Sequence, residues 1–139
     1  MLVRDYGVIE TDSKLEDSLR LLEIETALLK LLRDTPIDYC CIESVYLGKD
    51  LTTGTRLLQA RGVILLVMAK LNIPYKEITP LSLKKMITGY GKADKPQMQS
   101  VVKKILGLQE IPKPDDAADG LCLAISAWIS NKSRQTKLR

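Results

Sequence analysis

The stretch Ile37-Asp38-Tyr39-Cys40-Cys41-Ile42-Glu43 decides the fold, because it is an apolar run with the pattern of a buried strand and it ends in a carboxylate. Helical patterns lie before and after it, and a second, shorter strand pattern follows at residues 74–78. Strands that alternate with helices favour an α/β fold in which helices cover a sheet. The sequence therefore predicts a mixed sheet flanked by helices, with Glu43 at the carboxyl end of a strand.

The remaining predicted elements lie on both sides of this strand. Before it, residues 6–10 are short and β-prone, and Ser13 with Glu16 three residues later has the pattern of a capping box that opens a helix reaching Arg33. Leucines of that helix, such as Leu19 and Leu22, are expected on its core face. After the strand, the pattern predicts helices over residues 52–71, 80–87, 94–106 (capped by Asp94) and 115–130.

Length and composition set the class of protein. A chain of 139 residues is long enough for one independent core. We therefore expect a single domain over residues 1–131 and a basic tail over residues 132–139. Neither a membrane span nor a signal peptide is visible, and the three cysteines form no disulfide framework, which together predict a cytoplasmic protein with buried thiols. Lysines crowd residues 84–104 and the tail, which favours a polyanionic partner.

Three carboxylates are the candidates for chemistry. Glu43 ends the central apolar run, while Asp116 and Asp119 are spaced i, i+3 at the start of the last predicted helix. Oxygen ligands of this kind select Mg²⁺ or Mn²⁺, and the absence of histidine excludes an imidazole-based zinc site. The alternative is structural: Asp115 and Asp116 could cap the helix and complement its dipole, and Glu43 could mark where a strand emerges into solvent.

The order and spacing of four segments resemble one family. These segments are Ile42-Glu43-Ser44-Val45-Tyr46, Leu58-Gln59-Ala60-Arg61-Gly62-Val63, the loop region from Lys84 to Lys95, and Pro114-Asp115-Asp116-Ala117-Ala118-Asp119. Together they resemble the RuvC family of crossover-junction endodeoxyribonucleases, which have a ribonuclease-H-like fold. The resemblance implies a homodimer that resolves four-way (Holliday) junctions by paired nicks and works with branch-migration helicase machinery. It also implies two Mg²⁺ ions bound at four acidic positions, with Mn²⁺ as a possible substitute.

Glu43, Asp116 and Asp119 match three of those four acidic positions, and the fourth has no match. In the family it is an aspartate on the first, central strand. Residues 6–11 lead directly into the first helix and best match the family's third strand, or by a rival alignment the second. We therefore expect an N-terminally truncated family fold that lacks its first one or two strands, with Asp5 as the nearest carboxylate. Three carboxylates cannot readily position two ions, so an impaired junction-binding protein or a non-functional product is the alternative to an active nuclease.

The resemblance also assigns DNA contacts and a dimer interface. Lys84 and Lys95 match basic positions near the scissile phosphate. Lys92 follows the Gly-Tyr-Gly loop at residues 89–91, which lies between those two lysines. The alternative is that this loop is only a solvated surface loop. Tyr46 matches an aromatic that stacks on opened bases, with a half-buried strand-end tyrosine as the alternative. Gly62 lies on the helix through which the family dimerises; close packing against its own sheet is the alternative.

Overall fold

The computed structural model describes residues 1–46 and 48–137. Its elements, in chain order, are α1 (Asp17–Asp34), β1 (Cys40–Glu43), α2 (Leu51–Lys70), β2 (Tyr75–Ile78), α3 (Pro80–Thr88), α4 (Lys95–Leu106) and α5 (Asp115–Lys137). The strands β1 and β2 form a two-stranded parallel sheet, and the backbone N–H of Ser44 donates to the carbonyl of Ile78 at 2.9 Å just past the end of β1. The predicted α/β class is confirmed.

The chain divides into two compact units, and the first contains every carboxylate of the candidate site. It comprises residues 1–8, 39–44 and those from 76 onward, with helices α3, α4 and α5. Helix α5 packs on β1, and α3 and α4 pack on α5 and on each other. Its core is built from apolar side chains of all these elements: Cys41, Ile78, Leu83, Ile87, Ala93, Met98, Val102, Leu121, Cys122, Ile125 and Ala127.

The second unit comprises residues 9–38 and 45–75 and is a pair of packed helices, α1 and α2. Val67 and Met68 on α2 are buried, as is Leu32 on α1. An ion pair joins Arg56 to Asp17, with 3.4 Å between Nε and Oδ1. The side chain of Asp50 caps α2 by accepting hydrogen bonds from the backbone N–H groups of the second and third helical residues.

Several predicted elements are confirmed to within one or two residues. Helix α2 matches the predicted 52–71, β2 matches 74–78, and α3 matches 80–87. Asp94 caps α4 as predicted: the Gln97 N–H donates to Asp94 Oδ1 at 2.8 Å, and the Asp94 N–H donates to Gln97 Oε1 at 3.1 Å. This reciprocal pair is a full capping box and satisfies two helix-terminal donors at once.

The predictions for the first part of the chain are wrong in three respects. Residues 6–10 form neither strand nor helix. Helix α1 starts at Asp17, not beside Ser13, because the Asp12 carboxylate accepts a hydrogen bond from the Lys14 N–H (2.9 Å) and closes a turn there. Leu19 and Leu22, expected on the core face of α1, are 46% and 55% exposed.

The start of β1 and the end of α5, the two elements that carry the predicted site residues, also differ from the prediction. Strand β1 is shorter than residues 37–43 and begins only at Cys40. Helix α5 runs to Lys137, so residues 132–137 of the predicted tail continue the helix, while Leu138 and Arg139 lie outside the described residues. The single domain over residues 1–131 stays a prediction. None of the described helices is both long enough and apolar enough to cross a membrane.

Candidate active site

The start of α5 carries the two aspartates of the predicted site, Asp116 in the first turn and Asp119 in the next. The N–H of Ala117 donates to the carbonyl of Pro114 at 2.9 Å, which starts the helix directly after the proline. Ala117 and Ala118 are buried at 1% and 0% exposure and fasten this turn to the core. Asp116 and Asp119 are exposed. Both carboxylates therefore stand at the rim of the unit, close to the positive end of the helix dipole.

Glu43 lies beside Asp119. It ends β1, where burial falls from the buried Cys41 and Ile42 to an exposed side chain at Glu43. Partial desolvation raises the pKa of Glu43 above its usual value, and the negative charge of Asp119 raises it further. A strand end and a helix start have thus been folded into electrostatic contact. The effect of Asp119 on Glu43 indicates that these two carboxylates lie near each other, and their role in a metal site stays a prediction.

The thiol of Cys122 is close enough to Asp119 and Glu43 to be affected by their charges. Burial raises the pKa of Cys122 to about 11, and the charges of Asp119 and Glu43 add to the effect. The pKa of Cys40 is also raised to about 11, by burial and by Cys41. Both thiols therefore stay protonated at neutral pH, and neither offers a thiolate to a soft metal. The carboxylates remain the only anionic donors in this group of residues.

Helix α4 places Lys95 next to the start of α5. Its Nζ lies 3.2 Å from Asp115 Oδ2 and 3.8 Å from Asp119 Oδ2. The hydrogen bond that Lys95 donates to Asp115 raises the pKa of Lys95, and the charges of Asp119, Asp115 and Asp116 raise it further. Gln99 Nε2 donates to Asp115 Oδ1 at 3.1 Å. The sequence indicated Asp115 only as a possible helix cap and indicated no role for Gln99, although the i, i+4 spacing of Lys95 and Gln99 on one helix face was a usable signal.

The carboxylates have the oxygen donors that a hard cation prefers, but they do not form a complete set of metal ligands. Carboxylate oxygens are what Mg²⁺ and Mn²⁺ prefer, and a cation would relieve the repulsion between Glu43 and Asp119. Across residues 1–46 and 48–137, however, no three acidic, cysteine or histidine side chains are grouped so that they could hold a metal ion. The charge of Asp116 contributes to raising the pKa of Lys95, which also contacts Asp119. Asp5 is engaged locally, where its carboxylate accepts from the Tyr6 N–H at 2.8 Å.

Helix capping and close packing explain why the loop after α3 contains glycines. Gly89 ends α3 in the left-handed region at φ 76°, a conformation that favours glycine. A Cβ on Gly91 would lie 2.8 Å from Leu81 Cδ1 and 3.0 Å from Lys85 Cε, so this glycine lets the loop pack against α3. Lys84 is half-buried on α3 and Lys92 is exposed in the loop. The loop geometry is therefore explained by helix capping and packing, without a bound phosphate.

Tyr46 and Gly62 belong to the second unit. Tyr46 is 69% exposed, which rules out the half-buried alternative and leaves its ring available to a partner. Gly62 is exposed on α2, and an added Cβ there would meet no atom within 4 Å. The alternative in which Gly62 packs closely against its own sheet is therefore wrong.

Comparison with known proteins gives one consistent result. A family model described as "Crossover junction endodeoxyribonuclease RuvC" matches residues 1–127. Proteins of that name from Caldicellulosiruptor saccharolyticus and Thermosipho melanesiensis are each 46% identical to the chain. The first alignment covers 94% of this chain and 79% of the relative; the second covers 86% and 76%.

Solved structures agree on the fold. The structure of Thermus thermophilus RuvC matches 85% of this chain and 71% of its own, with a TM-score of 0.78 at 24% identity. The same protein in complex with a Holliday junction substrate matches with a TM-score of 0.80, also at 24% identity, over 85% of this chain and 72% of its own. The predicted ribonuclease-H-like fold is confirmed.

Proposed function

This chain belongs to the crossover junction endodeoxyribonuclease RuvC family, and on that premise we propose that it resolves four-way DNA junctions by metal-dependent hydrolysis of phosphodiester bonds. The family is one of hydrolytic endonucleases. The observation that supports the proposal for this chain is the charge effect of Asp119 of α5 on Glu43 of β1, with the ammonium of Lys95 3.8 Å from Asp119 Oδ2. Carboxylates next to a cationic side chain suit the cutting of a phosphate ester.

The proposed metal site uses Glu43, Asp116 and Asp119. When bound, Mg²⁺ or Mn²⁺ would supply an activated water and charge stabilisation at the leaving oxygen, and two ions are expected by resemblance to the family. The chain's own contribution is to hold carboxylate oxygens on a strand end and on the first two turns of a helix, both of which pack on the core. Rigid elements of this kind hold metal ligands better than loops do.

The proposed DNA contacts use three lysine side chains of the first unit and the exposed ring of Tyr46. Lys84, Lys92 and Lys95 would contact phosphates, which gives strong salt dependence without sequence preference. Tyr46 would stack on a base opened at the crossover, an interaction worth ~1–3 kcal/mol per base. A relative of the same fold has been solved with a Holliday junction substrate, which supports a junction as the ligand here.

The proposed assembly is a homodimer through the Gly62 face of α2. Gly62 is exposed and offers space for a second helix to approach closely, as far as the described residues go. Two-fold symmetry would present two sites to the two strands cut at a junction. A branch-migration helicase is the further partner that resemblance to the family implies.

A second candidate function is junction binding without cutting. The observation that favours it is that the described residues contain no group of three metal-binding side chains. Under this alternative, the lysines and Tyr46 would still grip the DNA, while metal would be held too weakly to support hydrolysis.

One experiment separates the two candidates. Binding of the chain to a four-way junction and to a linear duplex of matched sequence is measured by fluorescence anisotropy in EDTA, followed by a nicking assay with Mg²⁺ and with Mn²⁺. Resolvase function requires tighter binding to the junction and metal-dependent nicks in opposing strands. Junction binding with no nicks in either metal selects the second candidate. Equal affinity for the junction and the duplex contradicts both.

A further inference from the structure

Lys95 occupies a position that its own helix disfavours. It is the first residue of α4, where the helix dipole places partial positive charge and a cation is unfavourable. The capping box of Asp94 and Gln97 fixes the backbone there, so Lys95 cannot relax by fraying of the helix start. A carboxylate of α5, Asp115, offsets this unfavourable charge.

Asp115 is the closest anion to Lys95. It is the first residue of α5, and its Oδ2 lies 3.2 Å from Lys95 Nζ, compared with 3.8 Å for Asp119 Oδ2. The other carboxylate oxygen of Asp115 accepts from Gln99 Nε2 at 3.1 Å. Lys95 and Gln99 are one helical turn apart on α4. Asp115 is therefore held at both oxygens by one face of α4 and bridges the starts of two helices.

The pKa values of both partners agree with this contact. Hydrogen bonds from Lys95 and then Gln99 lower the pKa of Asp115, and the hydrogen bond to Asp115 raises the pKa of Lys95. Both groups are charged at neutral pH. All three side chains are at least partly accessible to solvent, so the contact can be remade around an incoming phosphate.

We propose that Asp115 is a positioning residue which, with Gln99, pre-orients the Lys95 ammonium beside Asp119 for contact with a DNA phosphate. The inference rests on the proposed function, because it needs Lys95 to contact DNA. Asp115 contributes no ligand to the metal and touches no substrate. Its effect is to reduce the conformational freedom that a long lysine side chain must lose when it binds a phosphate.

The test is a double-mutant cycle of junction binding in EDTA, so that neither metal binding nor turnover enters. The variants are Lys95→Met, Asp115→Asn, the double variant and Asp115→Glu. Asp115→Asn should weaken binding by about two- to fivefold, as expected for the loss of a solvent-exposed ion pair. It should cause no weakening in the Lys95→Met background. Asp115→Glu keeps the carboxylate and should restore most of the affinity.

Glu110→Gln is the matched control, because it removes one exposed carboxylate of the same unit and changes net charge equally. It should not weaken binding, since loss of a negative charge alone favours DNA. Weakening by Asp115→Asn that is equal with and without Lys95 would overturn the positioning role. So would tighter binding of Asp115→Asn when Lys95 is present, because Asp115 would then withhold Lys95 from DNA. In the Lys95→Met background, a small gain in affinity is the effect of lost negative charge that Glu110→Gln should also show, and it agrees with the positioning role.

The two proposals fail separately. If Lys95→Met leaves junction binding unchanged, the contact of Lys95 with DNA is wrong and the role of Asp115 falls with it. If Lys95→Met weakens binding while Asp115→Asn does not, only the inference about Asp115 fails. Thermal unfolding of each variant checks that these exposed substitutions leave the fold intact.

Discussion

Ser126 Oγ on α5 lies 3.2 Å from Cys41 Sγ on β1, inside the core of the first unit. Ser126 is fully buried, and its hydroxyl also bonds to the carbonyl of Leu123 at 2.8 Å. Cys41 is two residues before Glu43, and Ser126 is seven residues, or about two helical turns, after Asp119. This contact therefore fixes the register of α5 against β1 that places Asp119 beside Glu43.

Enlarging Ser126 should destabilise the protein. Ser126→Leu forces a larger side chain into a filled site and should lower the free energy of unfolding by about 1–3 kcal/mol. Ser126→Ala removes only the hydroxyl contacts and should cost about 1 kcal/mol. Urea unfolding measures both. Ala124→Leu, on the exposed side of α5, is the control and should change little; a Ser126→Leu protein as stable as the parent would contradict the packing described.

The ionisation of Glu43 should make stability depend on pH. Because its pKa is raised on folding, Glu43 favours the folded state most when protonated. That contribution is fully present below the ordinary pKa of about 4.5 and is lost as pH rises through the raised value. The metal-free Glu43→Gln variant should therefore be more stable than the parent at pH 7.5 and equal to it at pH 4.

Urea midpoints at the two pH values measure this effect, with Glu110→Gln as a control that should show no such difference. Added Mg²⁺ should then reverse the order. A cation that binds only the folded state raises the unfolding midpoint of the parent, whereas Glu43→Gln should gain much less. A parent protein that is indifferent to Mg²⁺ and Mn²⁺ would count against Glu43 as a metal ligand.

Neutralising the acidic side chains should separate cutting from binding. Asp116→Asn and Asp119→Asn should each reduce metal-dependent junction nicking to background, because each removes a proposed ligand while preserving side-chain size. Junction affinity in EDTA should not fall, since a negative charge is removed near DNA. Variants that nick at the parent's rate would show that the two aspartates act only as helix-terminal charges.

The proposed lysine contacts should appear in the salt dependence of binding. Lys84→Ala and Lys95→Ala should each weaken junction binding at every sequence and reduce the slope of log affinity against log salt concentration by about one. Lys30→Ala, which removes an exposed charge from α1, should leave the slope unchanged. An unaltered slope for Lys84→Ala or Lys95→Ala means that the residue makes no phosphate contact.

Gly62 provides a test of the dimer. Within one copy an added Cβ meets nothing within 4 Å, so Gly62→Ala should fold normally and gain up to about 1 kcal/mol of helix propensity. Gly62→Leu should instead separate the subunits if a second α2 helix packs on this face. Sedimentation at micromolar concentration measures both. A parent that is already monomeric, or a dimer unaffected by leucine, rejects the proposed interface.

Local signals explain which parts of the fold could be predicted. Helices α2 and α4 were predictable because their aspartate caps, Asp50 and Asp94, act on adjacent backbone groups. Ser13 was misread because Asp12 closes a competing turn. Residues 6–10 are β-prone, yet a strand exists only where another strand pairs with it, and propensity carries no information about that.

The types of residue in the site could be predicted from the sequence, but their arrangement in space could be predicted only in part. On α5, Leu121 and Ile125 are buried, while Ala124 is exposed and Trp128 is 45% exposed, with Lys132 Nζ 4.1 Å from its ring centroid. The contact of Glu43 with Asp119 depends on how α5 packs on β1. The Lys95–Asp115 contact depends on two helix starts that are distant in sequence.

The desolvated carboxylate of Glu43 has a consequence for how such a chain would evolve. Desolvation of Glu43 and repulsion from Asp119 both oppose its charge in the folded state, so we expect neutralising Glu43 to improve folding in the absence of metal. Substitutions that stabilise a protein at the cost of its activity arise in just such places. A population of variants screened for folding alone would therefore lose Glu43 early. Its retention in a lineage would record selection for cutting DNA.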